Sequence, residues 1–190
     1  MITLIGKENS MPLLKEDTYT TEYIDNLPEG ERAELIDGKI YNMTAPTRMH
    51  QRITTRLASI IDRYISDNNG KCEVYSAPFA VFLNKDNKTY VEPDVSVICD
   101  PNKLDDRGCN GAPDWIIEIV SPSSQRMDYS VKLFKYRSSG VREYWIIDPY
   151  KETVTVYPFK PEEDYGQYTF DDDVPVGIYK GFSIKISELL

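Results

Sequence analysis

The sequence predicts an α/β fold in which a mixed central sheet carries helices on its faces and extra β-hairpins at both ends. Three observations carry this prediction. Residues 46–70 hold one long apolar stripe at helical spacing. Two short segments, "WIIEIV" and "REYWIID", read as strands, and the first is apolar on both faces apart from Glu118, the pattern of a strand covered on both sides. A single helical segment separates those two strands, so the pair reads as a βαβ crossover and runs parallel.

Residues 1–17 read as a loosely held leader and 18–190 as a single domain. Thr20 or Thr21 caps a short helix near residues 21–26. "AELIDGKIYNM" reads as a hairpin, because two short apolar runs meet at Asp37-Gly38, a strong turn pair. In "TAPTRMHQRITTRLASIIDRYISDNNG" the stripe is Met49, Ile53, Leu57, Ile60, Ile61, Tyr64 and Ile65. Pro46 opens this helix and Asn68-Asn69-Gly70 closes it. "CEVYSAPFAVFL" follows as a strand, "NKDNK" as a turn and "VEPDVSVI" as the next strand, before a loop rich in Asp, Gly and Pro over residues 99–113. "WIIEIV" is strand again. "SPSSQRMDYSVKLFKYRSSG" reads as a helix with Ser123 or Ser124 near its cap, Met127, Val131 and Phe134 inward, and Gly140 as its stop. "REYWIID" is the last core strand; Asp148-Pro149 turns into "ETVTVYPF", and the tail adds β structure with turns at Tyr165-Gly166 and Gly181. The core is therefore helix, strand, strand, strand, helix, strand over residues 47–148, with a C-terminal β extension over 152–190.

A formal charge of −9 argues against a generic, charge-driven nucleic-acid binder, although it leaves room for a local basic face. The cysteines, Cys72, Cys99 and Cys109, are odd in number and form no C-x-x-C pair, which predicts no disulfide framework and a reducing compartment. With the single histidine, His50, their spacings fit no zinc motif. No apolar run approaches a membrane span, and the first twenty residues lack the apolar segment and cleavage site of a signal peptide. The expected location is the cytoplasm.

Glu118 is the anomaly. Alternation places it with Ile116 and Val120 on one face of its strand, while Ile117 and Ile119 take the other. An ionised carboxylate buried there needs a cation or a set of donors, or it stays protonated. On the preceding strand Glu92, Asp94 and Ser96 share a face. If the two strands are neighbours, Asp94 and Glu118 converge. Two carboxylates with open positions suit Mg²⁺, which keeps waters and accepts substrate phosphate oxygens. Such an ion can activate water and stabilise charge developing on a phosphate.

"EPDVSV", then "IIEIVSPSS", then "KLFKYRSSGVREYWIIDP", with "AELIDGKI" upstream and His50 at the start of the long helix, resemble a widespread bacterial group of restriction-endonuclease-like proteins. That group lies within the PD-(D/E)XK nuclease superfamily, and the likeness covers residues 18–160. It implies a restriction-endonuclease-like αβββαβ core, in agreement with the pattern. It further implies Mg²⁺-dependent hydrolysis of phosphodiester bonds in DNA, with Mn²⁺ as a substitute, by a homodimer. Asp94 and Glu118 carry over as the metal ligands. The departure is Val120, where the wider superfamily has lysine. The resemblance then places the lysine on the following helix, with Lys132 the first choice and Lys135 the second. Glu34 and His50 carry over as auxiliary groups that support the metal, position water or contact phosphate.

Each residue also has a plainer reading. Glu118 could pair with a structural arginine, and Lys132 could bridge Asp128 on a solvated helix face. Glu34 could be a hairpin charge and His50 an exposed first-turn residue. Arg48, Arg52, Arg56 and Arg63 read first as the solvated face of the long helix and second as a phosphate track. "DDD" at 171–173 reads as a solvated turn, and the tyrosine-rich tail as sheet packing or a dimer surface. Two rival functions stand beside the nuclease: a binding or assembly module that keeps the fold without cleaving, and a metal-dependent enzyme for another phosphate ester.

Overall fold

The computed structural model describes residues 18–122, 124–160 and 165–190. The expected leader over 1–17 and Ser123 as a helix cap lie outside them. Thr20 occupies the N-cap position of α1 (Thr21–Asp25), although its side chain makes no capping hydrogen bond. β1 (Ala33–Ile36) and β2 (Lys39–Asn42) form the expected hairpin. Its turn residues Asp37 and Gly38 both have positive φ, 51° and 77°, as a two-residue turn of this hand requires. α2 (Arg48–Asp67) starts at Thr47, whose hydroxyl accepts the His50 N–H at 3.3 Å, and ends at Asn68. Ile53, Leu57, Ile61 and Ile65 are its buried stripe; Thr54 joins them, while Met49 lies exposed.

Two expected strands are each split. "CEVYSAPFAVFL" divides into β3 (Glu73–Ser76) and β4 (Val81–Phe82), and "VEPDVSVI" into β5 (Tyr90–Val91) and β6 (Val95–Ile98). A proline, Pro78 or Pro93, lies at each break, and without an N–H neither can continue a ladder. At each break the chain passes between sheets. The expected loop over 99–113 also carries structure: a 3₁₀ turn at Pro101–Lys103, then β7 (Leu104–Asp105) and β8 (Gly108–Asn110). Gly108 has φ +137°, and a Cβ there would stand 2.2 Å from the Ala80 carbonyl oxygen, so only glycine lets β8 lie against β4.

β9 (Trp115–Ile119) is buried throughout. After it come a π-helical stretch, Met127–Lys132, and α3 (Leu133–Ser139), which Gly140 ends with φ 94°. The inward set here differs from the expectation. Asp128, Lys132, Lys135 and Tyr136 are buried, whereas Met127 and Val131 are half-buried and Phe134 is 71% exposed. The inner face of this helix borders a polar cleft, so its charged residues turn inward. β10 (Glu143–Asp148), β11 (Thr153–Pro158) and β12 (Gly166–Thr169) complete the main sheet, Gly166 opening a strand rather than a turn. β13 (Val174–Pro175) and β14 (Ser183–Ile184) pair with each other, and a 3₁₀ turn at Ile186–Leu189 follows.

The main sheet has the order β12-β11-β10-β9-β6-β3 and a second sheet the order β2-β1-β5-β4-β8-β7. β9 and β10 are parallel, as the crossover requires, and β6 and β3 are antiparallel to their neighbours. The main sheet thus threads α2, β3, β6, β9, helix and β10 in the order read from the sequence. α2 packs on one face with Trp115, Ile117 and Trp145. Tyr136 packs on the other with Ile116, Tyr144 and Ile146. Glu118 falls on that second face.

The expected absence of a disulfide is overturned. Cys72 and Cys99 form a disulfide. They flank the β3–β6 pairing, where Glu73 faces Ile98, so the sheet brings together residues 27 apart in sequence. Cys109 is free and buried. Among the described residues no helix is long and apolar enough to cross a membrane.

Candidate active site

β6 and β9 are antiparallel neighbours with Val95 opposite Ile117, which sets Asp94 beside the end of β9. The two strands latch across this point. The Ile119 N–H donates to Asp94 Oδ2 at 2.7 Å, and the Asp94 N–H reaches Glu118 Oε2 at 3.4 Å. His50, in the first turn of α2, places Nε2 3.1 Å from Asp94 Oδ2. Glu92 and Asp94 sit in the irregular link between β5 and β6 rather than on one strand face, yet both line the same cleft.

Glu118 is 3% exposed, and Lys132 provides its compensating charge. Lys132 Nζ donates to Glu118 Oε1 at 2.9 Å and to Glu34 Oε1 at 2.9 Å. The Tyr136 hydroxyl donates to the same Glu118 oxygen at 2.7 Å. Glu34 Oε1 also accepts the Glu92 N–H at 3.1 Å. No arginine takes this role: Arg32 pairs with Glu92, which accepts the Tyr90 hydroxyl at 2.7 Å as well. Lys132 therefore does not form the solvated bridge to Asp128, and Lys135 pairs with Asp37 in the hairpin turn.

Burial pushes the Glu118 carboxyl well above its usual range, and the Lys132 ammonium pulls it partly back. For Lys132, burial opposes the charge, but Glu118 and Glu34 outweigh it and hold the ammonium well above its ordinary value. Burial also opposes a proton on His50; the hydrogen bond and charge of Asp94 prevail and raise it. Burial lifts Asp128 to about 6.

These groups line a cleft of about 680 Å³ in which five carboxylates (Glu34, Glu92, Asp94, Glu118 and Asp128) face two cations (Arg32 and Lys132) and His50. A phosphate entering this excess of negative charge would be repelled unless a cation accompanied it. The donor set fits a hard divalent ion. Lys132 and Tyr136 occupy Glu118 Oε1, leaving Oε2 with one long contact, and no donor among the described residues reaches Asp94 Oδ1. Mg²⁺ usually takes one or two carboxylates from a protein and keeps several waters. Among the described residues no three His, Cys, Asp or Glu side chains group as a metal cluster. None of Arg48, Arg52, Arg56 and Arg63 lines the cleft, and Arg56 donates to the Leu190 carbonyl at 3.3 Å. Asp172 of the "DDD" run accepts from the Thr169 N–H at 2.7 Å, an ordinary turn contact.

Asp128 and Tyr136 were missed as site residues. Both lie four residues from Lys132, one helical turn to either side, and that spacing was the available signal.

Residues 20–187 match the family described as "Uma2: Putative restriction endonuclease". The chain belongs to the Uma2 family. Two Synechocystis proteins are similar to this Uma2 chain. "Uncharacterized protein slr1290" is 26% identical over 137 residues, covering 71% of this chain and 70% of that protein. "Uncharacterized protein sll1609" is 27% identical over 130 residues, covering 67% and 72%. A crystal structure described as a "putative nuclease belonging to DUF820" from Anabaena variabilis superposes with a TM-score of 0.72 at 24% identity, over 90% of this chain and 96% of that one. That likeness establishes a nuclease-like fold for this Uma2 member.

Proposed function

We propose that this Uma2 protein is a Mg²⁺-dependent endonuclease that hydrolyses phosphodiester bonds in DNA. One observation carries the reading. Val120 leaves the usual lysine position empty of charge, and Lys132 reaches back from the next helix to Glu118 beside Asp94. Asp94 and Glu118 would hold the ion; when bound, Mg²⁺ or Mn²⁺ supplies charge neutralisation and a more acidic water. Lys132, fixed between Glu118 and Glu34, orients the attacking water and offsets charge developing on the phosphate. His50, whose Nε2 is paired with Asp94, would be an auxiliary group that steadies this metal-binding carboxylate. A water oxygen gives up a proton to solvent as it bonds to phosphorus, the bond to the leaving sugar oxygen breaks, and that oxygen takes up a proton from solvent. A single domain over 18–190, a homodimeric state and a cytoplasmic location belong to the same proposal.

One observation favours the rival reading of an inactive binding module: the Glu34–Lys132–Glu118 bridge already engages the ammonium and one oxygen of each carboxylate without an ion. Incubating plasmid and single-stranded DNA with Mg²⁺ or Mn²⁺ beside Glu118→Gln separates the two. The wild type is expected to cleave and to bind the ion by calorimetry, and Glu118→Gln to do neither. Equal cleavage by both, or neither cleavage nor ion binding by the wild type, would refute the nuclease reading.

A further inference from the structure

Asp128 has no part in the chemistry above, yet it lines the same cleft and is only 1% exposed. Its Oδ2 is buried with no hydrogen-bond partner among the described residues. A buried carboxylate oxygen without a partner is costly, and native structures keep few of them. The ammonium one turn away does not serve it, because Lys132 turns to Glu34 and Glu118. The backbone is unusual too. Asp128 and Lys132 belong to one π-helical stretch, a form that concentrates at functional sites. Asp128 shares the electric field of the site: Asp94, Glu34 and Lys132 act on it, and it acts on His50.

A direct three-ligand cage is absent among the described residues, so Asp128 does not complete one with Asp94 and Glu118. A small divalent ion on two carboxylates keeps several of its waters, and those waters are strong hydrogen-bond donors. We propose that Asp128 is an outer-sphere carboxylate of the cation site, accepting a hydrogen bond from water on an ion held by Asp94 and Glu118 without touching the ion. This rests on the reading of Asp94 and Glu118 as the ion's ligands. It accounts for an acid that faces the site, has one unused oxygen and stands outside any direct cluster. The plainer alternative is a local structural carboxylate beside Ser124, and no hydrogen bond from that residue reaches Oδ2.

The test is calorimetric titration of ion-free protein with Mg²⁺, and separately with hexaamminecobalt(III). The cobalt complex exchanges no ligands and so reads outer-sphere contacts alone. Relative to wild type, Asp128→Asn is expected to weaken Mg²⁺ binding about 10- to 100-fold, the range for groups that act through a ligand. It should weaken the cobalt complex as well, while its ion-free melting temperature does not fall. Wild type that binds Mg²⁺ beside an Asp128→Asn that binds equally well overturns the inference and leaves the nuclease reading standing. Wild type that binds neither Mg²⁺ nor Mn²⁺ overturns both. If the asparagine variant does not fold, Asp128→Ser removes the carboxylate without adding bulk and reads the same quantity.

Discussion

Replacing Lys132 by methionine is the sharpest test of the charge arrangement. The side chain keeps most of its length and loses only its charge and donors. Glu118, Glu34 and Lys132 are 3%, 5% and 6% exposed, so water cannot take over from the ammonium. Removing one partner of a buried pair costs about 3–5 kcal/mol, because the other charge stays buried. Here two carboxylates lose their cation, but each keeps a donor: Tyr136, with the long Asp94 N–H contact, for Glu118 and the Glu92 N–H for Glu34. We therefore expect a loss near the low end, about 3 kcal/mol. The sign with pH follows from Glu118. Burial already raises its folded pKa, and losing Lys132 raises it further. A carboxyl raised in the folded state favours folding when protonated and loses that contribution as pH rises. The deficit of Lys132→Met should therefore be larger at about pH 8 than at about pH 5. Lys132→Met/Glu118→Gln should recover at least half of the deficit, since removing both partners of a buried pair is close to neutral. The assay is urea unfolding followed by circular dichroism. A loss under about 1 kcal/mol at about pH 8, or a double variant as unstable as the sum of the singles, would refute the bridge.

Ion-free Asp128→Asn should gain stability over wild type as pH rises. The Asp128 carboxyl sits at about 6 when folded against 3.8 as a free group, so its favourable contribution is complete below the lower value and lost through the upper one. The gain is at most about 3 kcal/mol, and urea melts without any change in the ranking across that range would exclude it. Tyr136→Phe removes one of two donors on Glu118 Oε1 and should cost about 1–3 kcal/mol with the secondary structure intact; no loss would mean the hydroxyl does not hold Glu118. Thiol counting on denatured, unreduced protein should find one free thiol, Cys109, and three after reduction; three before reduction would exclude the Cys72–Cys99 bond.

The centre of the main sheet was legible because β9 and β10 are largely apolar and buried on both faces, and β9 made Glu118 conspicuous for the same reason. Its convergence with Asp94 needed only one further fact, the adjacency of β6 and β9. The second sheet was not legible. Pro78 and Pro93 were visible, but the partners of the halves they separate come from distant segments, as with Leu35 opposite Tyr90 and Val81 opposite Cys109. The disulfide was hidden in the same way, since cysteine spacing carries no information about strand pairing.

The helix after β9 failed for a different reason, and that failure marks the site. A rule that turns apolar residues inward chose Phe134, which the structure exposes, and passed over Asp128, Lys132 and Lys135, which it buries. Charges on the inner face of a helix need something polar opposite, and here that is the Glu34–Glu118 pair with Asp94 beyond it. Val120 completes the inversion. It lies on the Glu118 face of its strand, buried among Tyr136, Tyr144 and Ile146, where a lysine would displace apolar packing. The ammonium arrives instead from the opposite wall, carried by a π-helical stretch that aims Lys132 at Glu118. Moving the cation from strand to helix keeps the apolar cluster closed on one side of Glu118 and the cleft polar on the other. The inverted helix pattern and the missing strand lysine are therefore two consequences of one arrangement.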